Sequence, residues 1–194
     1  MAATEDRAAL AACTFPPEWV ASTCRTRQSA QVPGPRDVVF QTFDAESSEA
    51  GLALAQYFGE LDRRFVGGFN TNDAFAEVAS SFNPPAGLFV VAKIGEDVVG
   101  CGGIQWIDGV TAEIKRMWVD PGRRGMGLGK RLLGHLEAEA RSSGRSRVVL
   151  DTNESLAEAI SMYRALGYDA IERYNDNPYA HHWFEKMVGP TEPR

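Results

Sequence analysis

The 194-residue sequence has few of the residues that disulfide frameworks and metal centres need. It contains three cysteines and three histidines. Three cysteines cannot all pair, and Cys101 lies in a glycine-rich segment that reads as a strand. His181 and His182 are adjacent and would point to opposite faces of a strand, while His135 stands alone on a predicted helix. We therefore expect neither a disulfide framework nor a metal site.

Long apolar runs and a basic excess are also missing. No apolar run approaches the roughly 18 residues that a membrane span requires. The N-terminus carries Glu5 and Asp6 and has no secretory pattern. The net charge of -6 argues against general nucleic-acid binding. These absences indicate a cytoplasmic protein with neither a membrane nor a nucleic acid as partner.

The length and composition fit one domain with a sizeable core, since 44% of the residues are hydrophobic and 24% are charged. Residues 1–36 are Ala-rich and Pro-rich and end in the linker-like Pro33-Gly34-Pro35. We expect a partly disordered extension over 1–36, a folded domain over 37–188 and a tail over 189–194.

The hydrophobic periodicity predicts a mixed α/β sheet with helices on its faces, because a three-stranded meander precedes a strand–helix–strand unit. The predicted strands are Val38 to Phe43, Leu88 to Ile94, Val98 to Trp106, Thr111 to Val119, Arg147 to Asp151, about Tyr168 to Tyr174, and His181 to Met187. The predicted helices are one capped by Asp44 or Ser47 with apolar Leu52, Leu54, Ala55, Phe58 and Leu61, then Asp73 to Phe82, Leu128 to Ser142, and Leu156 to Leu166.

A glycine-rich turn over residues 119–130 connects a predicted strand to a predicted helix. A P-loop is excluded, because Arg124 stands where its first glycine belongs and Arg131 where Ser or Thr belongs. A Rossmann turn is excluded, because its third glycine would fall on Lys130 or Leu132. The unpaired N–H groups at the start of the helix still predict an anion site. From Lys115 to Arg147, nine basic residues outnumber three acidic ones, which favours a polyphosphate ligand.

The turn reads Arg124-Gly125-Met126-Gly127-Leu128-Gly129 and follows a strand that ends in Val-Asp-Pro. With this Arg-x-x-Gly-x-Gly pattern, the chain resembles the GNAT superfamily of acyl-CoA-dependent N-acetyltransferases. The resemblance runs from about Val38 to Met187, since the strand end Leu150-Asp151-Thr152 and the segment from Ala159 to Tyr168 follow in the family's order.

This resemblance implies the GNAT fold, a mixed, mostly antiparallel central sheet of about six to seven strands with helices on both faces. It implies acetyl-CoA as cosubstrate and no further cofactor. Homodimers are common in the family, so a homodimer is one expected assembly.

The resemblance also assigns cofactor contacts. Backbone groups of Met117, Trp118 and Val119 would follow the pantetheine arm and the acetyl carbonyl. The pyrophosphate would be held by Arg124, Gly125, Met126, Gly127, Leu128, Gly129 and Lys130. Many relatives carry an asparagine where this chain has Leu156. Asn153, one helical turn earlier, either substitutes for it as a cofactor contact or caps the helix.

Glu113 is the candidate general base, because some family members carry the base at this position of the pattern Glu-Ile-x-x-x-x-Val. An amine of pKa about 10.4 costs about 4.6 kcal/mol to neutralise at pH 7, so a base matters. Glu113 would need burial or a relaying water. The alternative is an exposed strand residue balanced by Lys115, two positions along.

Tyr163 is the candidate general acid, because the family's acid is commonly the tyrosine of such a segment. A tyrosine of pKa about 10 gives its proton to a thiolate of pKa about 8.5 at a cost of only about 2 kcal/mol. The alternative is that Tyr163 simply belongs to the apolar helix face with Leu156 and Ile160.

The acceptor is predicted to be a primary amine on a small molecule. By family geometry, the connector from Tyr174 to Trp183 borders the acceptor site. Asp176 is a candidate for attracting an ammonium group, and Arg63 or Arg64 for holding a carboxylate. A protein N-terminal or lysine acetyltransferase is the second interpretation, and a CoA-binding regulatory module without turnover is the third.

Overall fold

A computed structural model describes residues 37–70 and 78–189 of the chain. The strands are β1 (Val39–Phe43), β2 (Gly87–Ile94), β3 (Asp97–Trp106), β4 (Thr111–Val119), β5 (Arg147–Thr152), β6 (Asp169–Ile171) and β7 (His182–Met187). The helices are α1 (Ser48–Arg64), α2 (Val78–Phe82), α3 (Leu128–Ser142) and α4 (Ala157–Ala165). The predicted N-terminal extension, the start of the predicted helix at Asp73 and the predicted tail beyond Gly189 lie outside the described residues.

The strands form one seven-stranded sheet in the order β1-β2-β3-β4-β5-β7-β6. Of the neighbouring pairs among these described strands, five are antiparallel, and only β4 and β5 run parallel. The predicted mixed, mostly antiparallel sheet is therefore confirmed.

The parallel pair β4–β5 separates after three residues. Its ladder joins Thr111–Glu113 to Arg147–Val149 and then stops. Strand β4 continues to Val119 alongside β3, and β5 continues to Thr152 alongside β7. The backbone of β4 beyond Glu113 thus has one edge without a β5 partner, and a gap opens in the middle of the sheet.

A β-bulge lies on β4 beside this gap. Cys101 pairs with Trp118 and Gly103 with Lys115, so two β4 residues, Arg116 and Met117, stand opposite one residue of β3. Arg116 has a positive φ of 57°, which costs a non-glycine residue about 1 kcal/mol. The bulge re-aims the side chains of β4 where the strand borders the gap.

Helices pack closely on both faces of the sheet at β3, where glycines leave room for them. A Cβ at Gly102 would lie 2.6 Å from Cδ1 of Leu136 on α3, and one at Gly103 would lie 2.6 Å from the ring of Phe82 on α2. Adjacent strand residues face opposite sides, so these glycines let two helices approach from opposite faces. One core contains Ile104, Leu132, Leu133, Leu136 and Leu150, and the other contains Leu54, Phe58, Phe82, Phe89 and Val91.

Several predicted boundaries change for local reasons. Ser47 is the N-cap of α1, since its Oγ accepts a hydrogen bond from the N–H of Ala50 at 3.3 Å. Leu52 is 61% exposed, so it lies off the buried face of α1. The strand predicted to reach Tyr174 ends at Ile171, and the following residues form a connector that bonds to β5 instead.

Within residues 37–70 and 78–189, no helix is both long enough and apolar enough to span a bilayer.

Candidate active site

The glycine-rich turn places the start of α3 beside the end of β4. A single 3-10 turn, Pro121–Arg123, follows β4, and the Asp120 carboxylate accepts a hydrogen bond from the N–H of Gly122 at 2.7 Å. Gly125 and Gly127 have φ values of 78° and 76°, which side-chain-bearing residues adopt only with strain. The first hydrogen bond of the helix runs from the N–H of Arg131 to the C=O of Gly127 at 3.1 Å. The preceding N–H groups therefore face outward with the positive end of the helix dipole.

A cavity of about 350 Å³, here named the turn cavity, lies against this helix start. Its lining includes nine of the eleven predicted cofactor residues: Met117, Trp118, Val119, Arg124, Gly125, Gly127, Leu128, Gly129 and Lys130. Of the other two, Met126 is 42% exposed and outside this lining, and Asn153 lines a different cavity.

Arg124 anchors the turn rather than reaching freely into the cavity. Its Nη2 lies 2.5 Å from Oε2 of Glu60 on α1, and its Nε donates to the C=O of Val119 at 3.0 Å. Glu60 also accepts hydrogen bonds from Nε1 of Trp118 at 3.0 Å and Nη1 of Arg64 at 3.1 Å. The turn is thus held to α1 and to the end of β4.

Arg64 and Glu158 extend this charge network to α4. Nη1 of Arg64 forms a second ion pair with Oε1 of Glu158, and Nη2 donates to the C=O of Ser155 at 2.7 Å. Arg64, one of the residues predicted to hold an acceptor carboxylate, therefore holds two of the protein's own carboxylates. Lys130 lines the turn cavity and joins no ion pair within the described part of the chain, so its charge is available to an anion.

The network shifts the pKa values of both carboxylates. Burial alone would raise the pKa of Glu60, but hydrogen bonds from Arg124 and Arg64 outweigh it and hold the pKa below its usual range. The hydrogen bond from Arg64 is the largest cause that lowers the pKa of Glu158 to about 2. Both groups are therefore ionised at neutral pH.

A second cavity of about 680 Å³, here named the gap cavity, occupies the opening between β4 and β5. Charged and amide groups line one part of it: Lys115, Arg116, Asp151, Asn153, Asn175, Asp176 and Asn177. Aromatic rings line another part: Tyr57, Phe65, Phe69, Tyr163 and Tyr179. Tyr57, Met117 and Tyr163 line both cavities, so the two meet at these side chains.

Tyr163 stands at this junction and is only 6% exposed. Its hydroxyl lies 4.0 Å from Sδ of Met117. Burial raises its pKa, and the nearby Tyr57 and Asp151 raise it further. Tyr163 is therefore protonated at neutral pH and is a weaker acid than an ordinary phenol. The ring of Tyr163 also packs against that of Tyr168 within the apolar core. This packing supports the alternative interpretation as well, in which Tyr163 belongs to the apolar face of the helix.

Glu113 is 3% exposed and lies outside the linings of both cavities. The alternative that it is an exposed strand residue is wrong, although its predicted pairing with Lys115 is present at 3.3 Å. Oε1 of Glu113 also accepts hydrogen bonds from the hydroxyl of Tyr174 at 2.8 Å and from Nδ2 of Asn175 at 3.1 Å. Glu113 thus lies at the last paired position of β4 and β5, next to the gap cavity but outside its lining.

Asp151 is the carboxylate that lines the gap cavity next to Glu113. Nδ2 of Asn175 donates to Oδ2 of Asp151 at 2.6 Å as well as to Glu113, so one amide bridges the two carboxylates. Nδ2 of Asn177 donates to Oδ1 of Asp151 at 3.0 Å. Asp151 was predicted only as a strand end, although a carboxylate directly after a buried run is a signal that could have marked it.

Asn153 lines the gap cavity and does not cap α4, whose N-cap is Leu156. Its Nδ2 donates to the C=O of Tyr179 at 2.7 Å, and its Oδ1 accepts from the N–H of Ser155 at 2.9 Å. The Nδ2 end of the side chain therefore holds the connector, and the Oδ1 end holds the loop before α4. Tyr57 was not predicted as a site residue, since nothing in the pattern of α1 separates it from core residues.

Two loops meet over the gap cavity through Tyr179. Its ring centroid lies 4.7 Å from that of Phe69 and 5.8 Å from that of Phe65, and its hydroxyl accepts a hydrogen bond from the N–H of Asn70 at 3.1 Å. The described part of the loop after α1, residues 65–70, and the connector before β7 therefore contact each other beside the gap cavity. Across the described ranges, no group of three His, Cys, Asp or Glu side chains is placed to hold a metal ion.

Comparison with known proteins identifies relatives of this arrangement. Residues 54–168 match the acetyltransferase (GNAT) family. The IAA acetyltransferase of Azospirillum brasilense is 36% identical over 125 residues, which is 64% of this chain and 82% of that protein.

Solved structures share the fold. A GNAT-family acetyltransferase from Staphylococcus aureus superposes with a TM-score of 0.68 at 16% identity, covering 78% of this chain and 99% of that one. A GNAT-family acetyltransferase from Elizabethkingia anophelis, solved with acetyl-CoA bound, has a TM-score of 0.59 at 16% identity and covers 78% and 98%. Since the family match spans more than half of the sequence and includes the glycine turn, the chain belongs to the GNAT family of acetyltransferases.

Proposed function

We propose that this enzyme transfers an acetyl group from acetyl-CoA to a primary amine of a small molecule, by direct attack with both substrates bound. One observation carries the proposal: the turn cavity and the gap cavity meet at Tyr57, Met117 and Tyr163. An acyl donor in one cavity and an amine in the other would bring their reacting atoms together there, and such positioning removes much of the entropic barrier.

The turn cavity suits a diphosphate carried by an apolar arm. Outward N–H groups at the start of α3 and the side chain of Lys130 supply positive charge. The edge of β4 that has no β5 partner, at Met117 and Trp118, offers backbone groups to an extended pantetheine. Asn153 is not proposed as a cofactor contact, because its Nδ2 donates to Tyr179 of the connector and its Oδ1 accepts from the N–H of Ser155.

Tyr163 at the junction and Glu113 outside the cavity lining can assist the two proton transfers. The amine nitrogen would attack the acetyl carbon, and the carbon–sulfur bond would break as the thiolate leaves. Tyr163 would give its hydroxyl proton to that thiolate. The proton lost by the amine would pass through water to Glu113, because the Glu113 carboxylate does not itself line the gap cavity.

The contact between the loop after α1 and the connector before β7 favours a small acceptor. Tyr179 joins the two loops by ring contacts and a hydrogen bond, and these contacts border one side of the gap cavity of about 680 Å³. A peptide bound in extended form would need an uninterrupted groove, and the contacts of Tyr179 with both loops would obstruct one.

The test measures release of free thiol from acetyl-CoA across a panel of small primary amines and short peptides, after calorimetry has measured acetyl-CoA binding. We expect binding, and thiol release that depends on at least one small amine. Transfer to peptides alone would indicate a protein acetyltransferase. Binding without turnover of any amine or peptide would indicate a CoA-binding module.

A further inference from the structure

The two carboxylates that Asn175 bridges differ in their partners: Glu113, outside the cavity lining, is paired with a lysine, whereas Asp151, which lines the gap cavity, is held by amides. Glu113 pairs with Lys115 at 3.3 Å. Asp151 accepts hydrogen bonds only from neutral amides, at 2.6 Å from Asn175 and 3.0 Å from Asn177, and within residues 37–70 and 78–189 no ion pair involves it. A carboxylate that has hydrogen bonds but no countercharge, and that faces a cavity, attracts a cation.

The charge of Asp151 reaches the junction of the two cavities. Burial is the largest cause that raises the pKa of Tyr57 to about 12; the positive charge of Arg116 opposes it, and the negative charge of Asp151 is a smaller cause that raises the pKa. Asp151 also contributes, after burial and Tyr57, to the raised pKa of Tyr163. A cation held by Asp151 would therefore lie within electrostatic range of the reacting atoms.

The other acid lining the cavity is already paired and turned to solvent. The Asp176 side chain is fully exposed and forms an ion pair with Arg173 at 2.8 Å. Asp176 was the residue predicted to attract an ammonium group, and the geometry favours Asp151 instead.

Aromatic rings form the wall that receives the rest of the acceptor. Phe65, Phe69 and Tyr179 contact one another, with centroid separations of 4.7 to 5.9 Å, and all three line the cavity. The guanidinium of Arg116 lies over the ring of Phe58 at 5.4 Å, so its charge is directed at an aromatic face. Such a wall suits a flat apolar body better than a second charged group.

We propose that Asp151 binds the acceptor as an ammonium cation before transfer, and that the acceptor is a primary amine with an aromatic or other apolar body. The inference rests on the proposed function for its second substrate. It predicts binding, however, and so can be tested without turnover.

The experiment measures dissociation constants of amines and their matched alcohols in the presence of CoA, which cannot react. The pairs are phenethylamine with 2-phenylethanol, tryptamine with tryptophol, and hexylamine with 1-hexanol, and phenylalanine adds a carboxylate. For the wild type we expect at least one amine to bind about tenfold more tightly than its alcohol. In Asp151→Asn this ratio should fall to about one.

Two further variants make the result specific. Asp151→Ser repeats the charge removal in case Asn disturbs the amide bridge, and circular dichroism checks that each variant folds. Asp169→Asn, at an exposed position of β6, should leave the ratio unchanged. In the turnover assay Asp151→Asn should raise KM for the amine about tenfold and leave KM for acetyl-CoA as it was.

Four results would overturn the inference: no amine that binds more tightly than its alcohol, a ratio that persists in both Asp151 variants, loss of the ratio in Asp176→Asn instead, or tighter binding of phenylalanine than of phenethylamine. If amines bind through Asp151 but acetyl-CoA is never consumed, the proposed transfer fails while the binding role of Asp151 stands.

Discussion

Glu60 and Arg124 are 64 residues apart in the sequence and form an ion pair of 2.5 Å that joins α1 to the glycine turn. Because the same carboxylate also accepts from Trp118 at 3.0 Å and from Arg64 at 3.1 Å, Glu60 holds three elements together. The turn cavity therefore depends on a residue far from the turn motif.

Glu60→Gln should lower both stability and affinity for acetyl-CoA. The substitution keeps the size of the side chain but removes the charge that two guanidinium groups share, at a site 8% exposed. We expect a loss of about 2 kcal/mol in the free energy of unfolding. Denaturant unfolding and calorimetry measure the two effects.

Glu96→Gln is the matched control, because that side chain is 98% exposed and its ion pair, with Lys93 at 3.4 Å, lies at the surface. It should change the free energy of unfolding by less than about 0.5 kcal/mol. Equal effects of the two substitutions would show that the Glu60 network does not support the fold.

Glu158 should make part of the stability acid-sensitive. Its pKa is about 2 in the folded protein, mainly through Arg64, against 4.5 for the free side chain. A lowered carboxylate pKa stabilises the fold fully above pH 4.5, and this contribution is lost as the pH falls from 4.5 to 2. Since the side chain is 55% exposed, solvent screening limits the effect to about 1 kcal/mol.

The measurement compares the wild type with Glu158→Gln by denaturant unfolding between pH 7 and pH 2. The variant should be less stable at pH 7 and should approach the wild type near pH 2. A difference that is constant across this range would contradict the assigned pKa.

Gly127→Ala should weaken acetyl-CoA binding through backbone strain alone. Gly127 is the N-cap of α3 with a φ of 76°, and an added Cβ would meet nothing within 4 Å. Alanine should therefore cost about 1 to 2 kcal/mol, either as lost stability or as a rearranged turn. Calorimetric titration measures the affinity for acetyl-CoA, and denaturant unfolding measures the free energy of unfolding.

Gly134→Ala provides the comparison within the same helix. Gly134 lies inside α3, and an added Cβ would again meet open space, but its φ is not positive. Alanine there should raise stability by about 0.5 to 1 kcal/mol and leave acetyl-CoA affinity unchanged. Similar results for the two glycines would show that the positive φ of Gly127 is not the cause of the effect.

Local sequence was enough to predict the turn and most elements of the fold. The Arg-x-x-Gly-x-Gly segment lies within a few residues, and the periodicity of α3 predicted its bounds as Leu128–Ser142. Contacts between distant segments could not be predicted in this way. The roles of Glu60 and Asp151 depend on partners 64 and 24 residues away, and no short-range pattern records which residues the sheet brings together.

Tyr163→Phe should lower kcat and leave acetyl-CoA binding intact. Among the described residues, the one polar contact of the Tyr163 hydroxyl is with Sδ of Met117 at 4.0 Å, so removing this hydroxyl should cost little stability. Loss of a general acid typically lowers the rate about a hundredfold or more. Steady-state thiol release measures kcat, and calorimetry measures binding.

Tyr168→Phe is the control for this substitution, since Tyr168 is 3% exposed and its ring lies 5.8 Å from that of Tyr163, but it lines neither cavity. Its kcat should match the wild type. An equal loss in the two variants would assign Tyr163 to packing rather than to proton transfer.

Glu113→Gln should lower kcat in a way that depends on pH. An amine of pKa about 10.4 is almost entirely protonated at pH 7, and Glu113 is proposed to receive its proton through water. We expect kcat to fall about a hundredfold at pH 7 and the deficit to shrink as the pH approaches about 10, where the amine loses its proton to solvent. If the substitution acted only by releasing Lys115, Tyr174 and Asn175, the deficit would be the same at every pH. The pH profile of kcat for wild type and variant, measured with one amine, therefore separates proton transfer from structural support.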